Sequence, residues 1–392
     1  MEILHRSFIP IVLALLALTF AGAIAAFAMT VDWSELSDRT PAETESRPAA
    51  APPVDPGGGG LMLGVQMHPL WTGVTERDAE RELDVVRRSG ARLVRIDVGW
   101  STLEPAGKRR ISAEYARRLD RFLAAAARRR IGVIATLHET PCWAAAAPAR
   151  VQQGCRGAWW ERGVQRYPPR RAADYADAAT YVARRWGKRM LALEIWNEPN
   201  VRFFLNAPDP VLAYSRLVRA SYRPIKRVRR ELTVLAGGTL RSDGRFVEGL
   251  YQRGRILGHY DALSYHPYSA APAEPTAERG PEFSLVAGTQ WLHDIMTNAG
   301  DPEPELWATE AGASTCSPDA NPECVSEADQ ATRIAQYVDA ASGFPYVRAL
   351  VVYNLRDKGT DPGDIEHGFG LVRRDLSAKP AFAEFRAAAA GR

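Results

Sequence analysis

The chain has 392 residues, 46% hydrophobic and 24% charged, which places it among globular proteins and excludes a disordered or fibrous one. Its net charge of +4 comes from 50 basic against 46 acidic residues spread along the chain, and no nucleic-acid footprint stands out. The densest basic cluster, Arg223 to Arg230, falls in an amphipathic stretch and reads as the solvated face of a helix.

In chain order, Met1 to Arg6 precede an almost purely apolar run from Phe8 to Ala28. At about 1.5 Å per residue this run spans a bilayer. Residues 1–29 read as an uncleaved signal anchor or as a signal peptide cut at Ala26-Phe27-Ala28. Arg6 before the run, against Asp32, Glu35 and Asp38 after it, puts the bulk of the chain outside the cytoplasm. An exported protein is expected, extracellular or on the outer face of the cytoplasmic membrane, touching the membrane through this segment where it is uncleaved. Residues 30–60, rich in Pro, Ala and Gly and ending in Gly57-Gly-Gly-Gly60, cannot build a core and read as a flexible tether.

From Leu61 one rhythm runs to Arg392: a short apolar run, a polar loop, an amphipathic helix. Strands are expected at Leu61 to Met67, Ala91 to Val98, Gly132 to Leu137, Leu191 to Trp196, Thr233 to Gly238, Ala262 to Tyr265, Glu305 to Glu310 and Ala349 to Asn354. Helices are expected near Glu76 to Ser89, Ser112 to Arg130, Ala172 to Trp186, Pro210 to Glu231, Phe246 to Leu257, Leu285 to Asn298, Glu327 to Ser342 and Ala381 to Ala390. Eight such cycles predict an α/β fold of the (β/α)8 barrel type, a single domain over residues 61–392. A doubly wound open sheet is the runner-up, disfavoured because no G-x-G-x-x-G or phosphate loop follows any strand.

In such a barrel the C-terminal strand ends converge on one face. His68, Arg95, His138, Glu198, His266, Glu310 and Asn354 each stand at or near a strand's exit and are expected around one basin. Pro199 closes the fourth strand, since it cannot donate to a ladder, and leaves Asn197 and Glu198 at its mouth. Glu194 shares that strand's face but lies roughly 13 Å deeper at about 3.3 Å per residue, so it reads as a paired core group and Glu198 as the reactive one. Glu310 ends the seventh strand in the same way, and two strand-end glutamates suggest a two-carboxylate mechanism. Structural readings compete for several neighbours: Arg95 as the partner of Asp97 or Glu194, His68 and His138 as hydrogen-bonded core histidines. The four cysteines fall as two local pairs, and Cys142 with Cys155 plus Cys316 with Cys324 is the simplest of three connectivities. Zinc is the rival reading, but neither pair has C-x-x-C spacing or a following His pair.

Trp196-Asn-Glu-Pro-Asn200, Glu310, Arg95 and His266-Pro-Tyr268 together resemble the clan A glycoside hydrolases, the retaining β-glycosidase barrels. Trp100-Ser-Thr-Leu-Glu-Pro105 and Thr140-Pro-Cys-Trp-Ala144 look most like family 39 and its endoglycosidase relatives, with family 5 cellulase-like enzymes next. The resemblance covers residues 61–392. It implies Glu198 as general acid/base, Glu310 as nucleophile and Asn197 at the sugar 2-hydroxyl. It also implies Arg95 and Tyr268 on Glu310, His266 on the acid/base side, and no metal or organic cofactor. His68, His138, Trp100, Trp143, Tyr353 and Asn354 are further candidates for substrate contact.

One departure is visible: clan members commonly carry a Trp at the end of strand eight as a platform for the reacting sugar, and here the run reads Val351-Val-Tyr-Asn354. Tyr353 is expected to replace the platform, or Asn354 to touch the sugar. The loop after strand three carries Trp143, Trp159, Trp160 and Tyr167, which as an aromatic cleft wall would favour endo-acting cleavage of a β-linked polysaccharide. Packing of that loop on itself is the alternative. A monomer acting on polysaccharide or oligosaccharide is expected, with a transglycosidase using the same residues and a non-catalytic carbohydrate-binding barrel at the envelope as rivals.

Overall fold

The computed structural model describes residues 60–156, 163–270, 272, 280–319 and 321–391. All eight expected strands form: β1 (Met62–Met67), β2 (Leu93–Gly99), β3 (Gly132–His138), β4 (Ala192–Ile195), β5 (Thr233–Leu240), β6 (Ala262–His266), β7 (Leu306–Ala311) and β8 (Val347–Val352). Each pairs in parallel with the next and β8 pairs with β1, so the sheet closes into a (β/α)8 barrel rather than an open sheet. The helices are α1 (Glu76–Ser89), α2 (Trp100–Leu103), α3 (Ala113–Arg128), α4 (Ala149–Gln152), α5 (Ala172–Trp186), α6 (Pro210–Val228), α7 (Gly244–Gln252), α8 (Leu285–Asn298), α9 (Glu327–Ser342) and α10 (Pro380–Ala390).

Local chemistry sets the helix starts. Thr75 and Asp78 form a reciprocal capping box at α1, and Ser112, Asp209, Asp243, Ser284 and Ser326 each accept a backbone N–H at the start of α3, α6, α7, α8 and α9. The Asp243 cap draws α7 back to Gly244, two residues before the expected start. The short α2, which opens directly on Trp100, was not anticipated.

The barrel interior is layered, because strand side chains alternate with period two. Met62, Leu93, Ile134, Ala192, Leu235, Ala262, Trp307 and Ala349 pack together as an apolar plug. Two residues further along, Arg95, Thr136, Glu194, Ser264 and Thr309 make the next level polar, all fully or nearly fully buried. The alternate, outward set, including Val65, Val94, Ile96, Val133, Ala135 and Leu193, packs under the helices in the main core.

Both expected disulfides are present, Cys142–Cys155 and Cys316–Cys324. The apolar run and the tether up to residue 59, together with Trp159 and Trp160, lie outside the described residues. Among the described residues no helix is long and apolar enough to cross a membrane.

Candidate active site

Glu198 reaches the barrel mouth through a sharp turn. After β4, Trp196 and Glu198 adopt φ of 69° and 41°, left-handed values that cost about 1–3 kcal/mol for such residues. The turn is held by Trp196 N–H donating to the Leu137 carbonyl (3.0 Å) and Glu198 N–H to the Gly238 carbonyl (2.8 Å). Asn200 ties it down again, exchanging hydrogen bonds with the Leu240 carbonyl and N–H at 3.1 and 3.0 Å. Gly237 and Gly238 have φ of 113° and 53°, and a Cβ at Gly237 would meet the Ser264 carbonyl at 2.3 Å, so only glycines let β5 present that acceptor.

Below the mouth, Arg95 is fully buried and organises four neighbours. Its Nε donates to Glu194 (2.7 Å), Nη2 to Asn197 Oδ1 (2.8 Å) and Nη1 to both Gln66 (3.1 Å) and Glu310. Thr136 and Thr309 hydroxyls complete Glu194 at 2.6 and 2.8 Å. Burial raises the Glu194 carboxyl, but the Arg95 and His266 charges and the Thr136 and Ser264 hydroxyls outweigh it and hold it below the usual range. Glu194 is thus the paired core acid, as its depth implied. With Asn197 Oδ1 occupied by Arg95, the amide N–H₂ is left for the cleft that Asn197 lines.

Glu310 receives Arg95 on Oε1 and the Tyr268 hydroxyl on Oε2 at 2.8 Å. After it, Gly312 lets the backbone following β8 come close: a Cβ there would lie 2.2 Å from the Tyr353 carbonyl. His266 is fully buried, with Nδ1 2.9 Å from Glu198 Oε1 and 3.6 Å from Glu310 Oε2. Burial lowers His266, yet the Glu310 charge and the Glu198 hydrogen bond raise it above its ordinary value. Glu198 is pushed up by burial, and by the Glu310 charge, against the opposing pull of His266. Oxygens of Glu198 and Glu310 and a nitrogen of His266 all lie within 4.8 Å of one another. Such a trio could hold a metal, but here Arg95, Tyr268 and the Glu198–His266 hydrogen bond already engage these atoms, and the Arg95 cation repels a second cation.

A proton bound by Glu198 in the folded state at pH values where the unfolded chain has lost it contributes stability. That contribution is complete below the ordinary glutamate pKa and disappears as pH rises through the raised folded value. Glu198→Gln should therefore melt above the parent at pH 7–8, the gap narrowing toward pH 4; calorimetry across that range checks it, and equal melting temperatures throughout would contradict it.

The face opens into a cleft of 940 Å³ lined by Asn197, Glu198, Tyr268, Glu310, His68, His138 and Tyr353, as expected. Asp97 lies between the histidines, 2.9 Å from His68 Nδ1 and 3.8 Å from His138 Nε2. Arg95 and His266 do not line it and act from beneath through Glu310, Asn197 and Glu198. Three expectations are corrected. Trp100 is fully buried, its indole N–H on Glu104 (3.0 Å), because α2 turns it into the core. Trp143 packs edge-on against Trp100, its centroid 5.7 Å away, and donates to the Glu104 carbonyl at 2.7 Å, so it holds the loop rather than a sugar. Asn354 does not line this cleft: it lies past the end of β8, buried, at a neighbouring cavity together with Met67 and Leu355.

Of the described aromatic residues in the loop after β3, neither Trp143 nor Tyr167 lines the cleft. The aromatic wall comes instead from Trp71 after β1 and from Phe203 and Phe204 after β4, Trp71 and Phe203 being exposed. Lys358 and Glu366 follow β8 and pair at 2.8 Å beside the Tyr353 hydroxyl. Only Trp71, three residues past a strand-end histidine, carried a sequence signal.

The family model described as Cellulase (glycosyl hydrolase family 5) matches residues 54–348. No curated protein sequence matches the chain. Solved structures share the fold: a family 39 glycoside hydrolase from the gut symbiont Bacteroides cellulosilyticus WH2 is 23% identical at TM-score 0.67, over 84% of this chain and 64% of its own. The chain thus spans under two thirds of that relative. A family 5 subfamily 18 protein from Streptomyces cattleya, solved with GlcNAc, is 16% identical at TM-score 0.62, over 84% of this chain and 79% of its own. The hyperthermophilic beta-glucosidase from Pyrococcus furiosus is 13% identical at 0.61, over 85% and 95%.

Proposed function

Because the chain belongs to glycosyl hydrolase family 5, the cellulase family, we propose that it is a retaining glycoside hydrolase that cleaves a β-linked polysaccharide by double displacement. The observation that carries this reading is the approach of the Glu198 and Glu310 carboxyl oxygens within 4.8 Å. Retaining enzymes hold the two carboxyls about 5–5.5 Å apart, whereas inverting ones leave about 6.5–9.5 Å for a water.

In the first step a Glu310 oxygen attacks the anomeric carbon while Glu198 gives its proton to the departing glycosidic oxygen. Burial suits Glu198 to that role by keeping its proton on toward neutral pH. The glycosyl ester on Glu310 then meets a water whose proton passes to Glu198, and the configuration is restored. Arg95 and Tyr268 orient the nucleophile, and Asn197 presents its N–H₂ to the sugar 2-hydroxyl.

Endo-acting cleavage is supported by an open cleft of 940 Å³ lined by exposed aromatic groups from two connections, Trp71 after β1 and Phe203 after β4. Export is supported by two disulfides, which persist in oxidising compartments, and by the apolar run near the N-terminus. The test is to incubate the oxidised protein with β-glucans, mannans, xylans, galactans and bacterial exopolysaccharides, with Glu310→Ala as the blank. Internal fragments formed only by the intact protein are the expected result. Binding of one polymer by both proteins without products would replace the hydrolase by a non-catalytic receptor.

A further inference from the structure

The cleft opens where the strands end; the opposite face of the barrel, where they begin, carries a charge pattern that catalysis does not use. Five consecutive connections cross that face, from α1 to β2, α3 to β3, α5 to β4, α6 to β5 and α7 to β6. Together they hold nine Arg or Lys residues against two acids, Glu231 and Asp261, so the sector has a strong positive excess. Asp261 is moreover taken by Lys226 of α6 at 2.8 Å. The sector stops at β7, whose connection carries Asp301, Glu303 and Glu305 and no base.

Each of the five connections exposes one cation that makes no ion pair or side-chain hydrogen bond among the described residues: Arg92, Arg130, Lys188, Arg230 and Arg255. On the flank of the barrel, by contrast, Arg121, Arg128 and Arg129 each meet an acid of α1. Helix dipoles favour cations in a last turn, as with Arg87 and Arg88 of α1, but these five lie beyond the helix ends. The dipole alone therefore does not account for them.

Two further observations fall on the same face. Of the large apolar side chains exposed among the described residues, Trp71 and Phe203 line the cleft, and the third, Leu257, is 41% exposed between Arg255 and His259. The chain also enters the barrel here: β1 starts at Met62, so residues 29–60 join the domain on this side, with the apolar run Phe8 to Ala28 at their other end. An acidic phospholipid surface meets all three features. Its phosphates accept from guanidinium and ammonium groups, and an apolar side chain enters between its headgroups. A soluble polyanion would match the cations but would leave Leu257 and the entry of the chain on this face without a role.

We propose that this face rests on a bilayer rich in acidic phospholipid, held by Arg92, Arg130, Lys188, Arg230 and Arg255 with Leu257 inserted, so that the cleft at the other end of the barrel opens away from the membrane. This goes beyond the glycosidase reading and would stand if the barrel were a non-catalytic receptor.

The test places a dye on each end of the barrel. All four cysteines are paired, so Leu257→Cys supplies a sole free thiol for an environment-sensitive nitrobenzoxadiazole dye, and Phe203→Cys supplies the control at the cleft. The full chain carrying either dye is reconstituted into vesicles of phosphatidylcholine alone or of phosphatidylcholine and phosphatidylglycerol at about 7:3. At about 0.1 M salt the dye at position 257 is expected to shift to the blue and to gain at least twofold in intensity on the acidic vesicles over the neutral ones. The dye at position 203 should respond equally to both. Raising the salt to about 0.5 M should remove most of the gain, since screening shortens the reach of exposed charges. Combining Arg92→Gln, Arg130→Gln, Lys188→Gln, Arg230→Gln and Arg255→Gln should do the same; its circular dichroism melt reports whether it folds, and the salt series on the parent decides if it does not. Equal signals at position 257 on both vesicles, a gain that survives high salt, or a gain at position 203 as large as that at 257 would overturn the proposal. A response at position 257 to soluble polygalacturonate and none to acidic vesicles would overturn it in favour of an acidic polymer.

Discussion

Glu310→Gly is expected to lower kcat on an aryl glycoside by about 10⁵-fold, the scale on which removing a nucleophile from a concerted catalytic set acts. The loss follows from geometry: no other carboxylate among the residues lining the cleft shares the Arg95 and Tyr268 donors that fix Glu310 within 4.8 Å of Glu198. Glycine leaves a space the size of the lost carboxyl, which a small anion can enter. With azide and an activated aryl leaving group, turnover should return and the product should be the α-glycosyl azide, because azide attacks from the face that Glu310 occupied.

Glu198→Ala should lose about 10²- to 10⁴-fold on a poor leaving group, the usual contribution of a positioned general acid, and much less on an activated one. Its glycosyl-enzyme still forms, and azide then takes the place of water on the opposite face to give the β-azide. Opposite anomers from the two variants, read by proton NMR, assign the roles; the same anomer from both, or full activity in either, would defeat the assignment.

The positions of the two β4 acids were legible in the sequence because that information is local to the strand's end. Glu194 and Glu198 share one face of β4 by the period of two, and distance along the chain separates them: Glu194 lies within the strand at the level of Arg95, Thr136 and Thr309, and Glu198 past its end at the mouth. At β8 the rule gives no answer, because Tyr353 and Asn354 lie past the strand's end at Val352 and no alternation assigns either of them to the cleft. Trp100 and Trp143 misled because an aromatic beside a strand exit reads alike whether it faces the cleft or the core, and only the turn into α2 decides. Phe203, Lys358 and Glu366 had no signal at all: they stand on connections whose path depends on the whole barrel, and no periodicity in the sequence records where a loop folds back.

Arg95→Met should cost about 3–5 kcal/mol in denaturant unfolding, the range for removing one partner from a buried ion pair. Against the 5–15 kcal/mol typical of a folded domain this is a large fraction. The physical reason is that the guanidinium is fully buried and is the counter-charge of two acids, Glu194 on Nε and Glu310 on Nη1. Methionine fills much of the volume and leaves the charge of Glu194 uncompensated in the barrel core.

Adding Glu194→Gln to Arg95→Met should recover part of the stability, because an amide can still bond to Thr136 and Thr309 without carrying charge. It should recover none of the activity, since Glu310 and Asn197 remain without the Arg95 donors. The pH dependence gives a further check. In the parent, the lowered Glu194 carboxyl supplies stability above its unfolded pKa and loses it as pH falls through the folded one. In Arg95→Met that contribution is gone, so the deficit should shrink as pH falls from 7 through the ordinary glutamate range toward the lowered folded value of the parent, below which both proteins hold a neutral Glu194. A deficit independent of pH would mean that Arg95 acts by packing and not by charge, and an Arg95→Met protein as stable as the parent would remove the buried network as the support of the nucleophile.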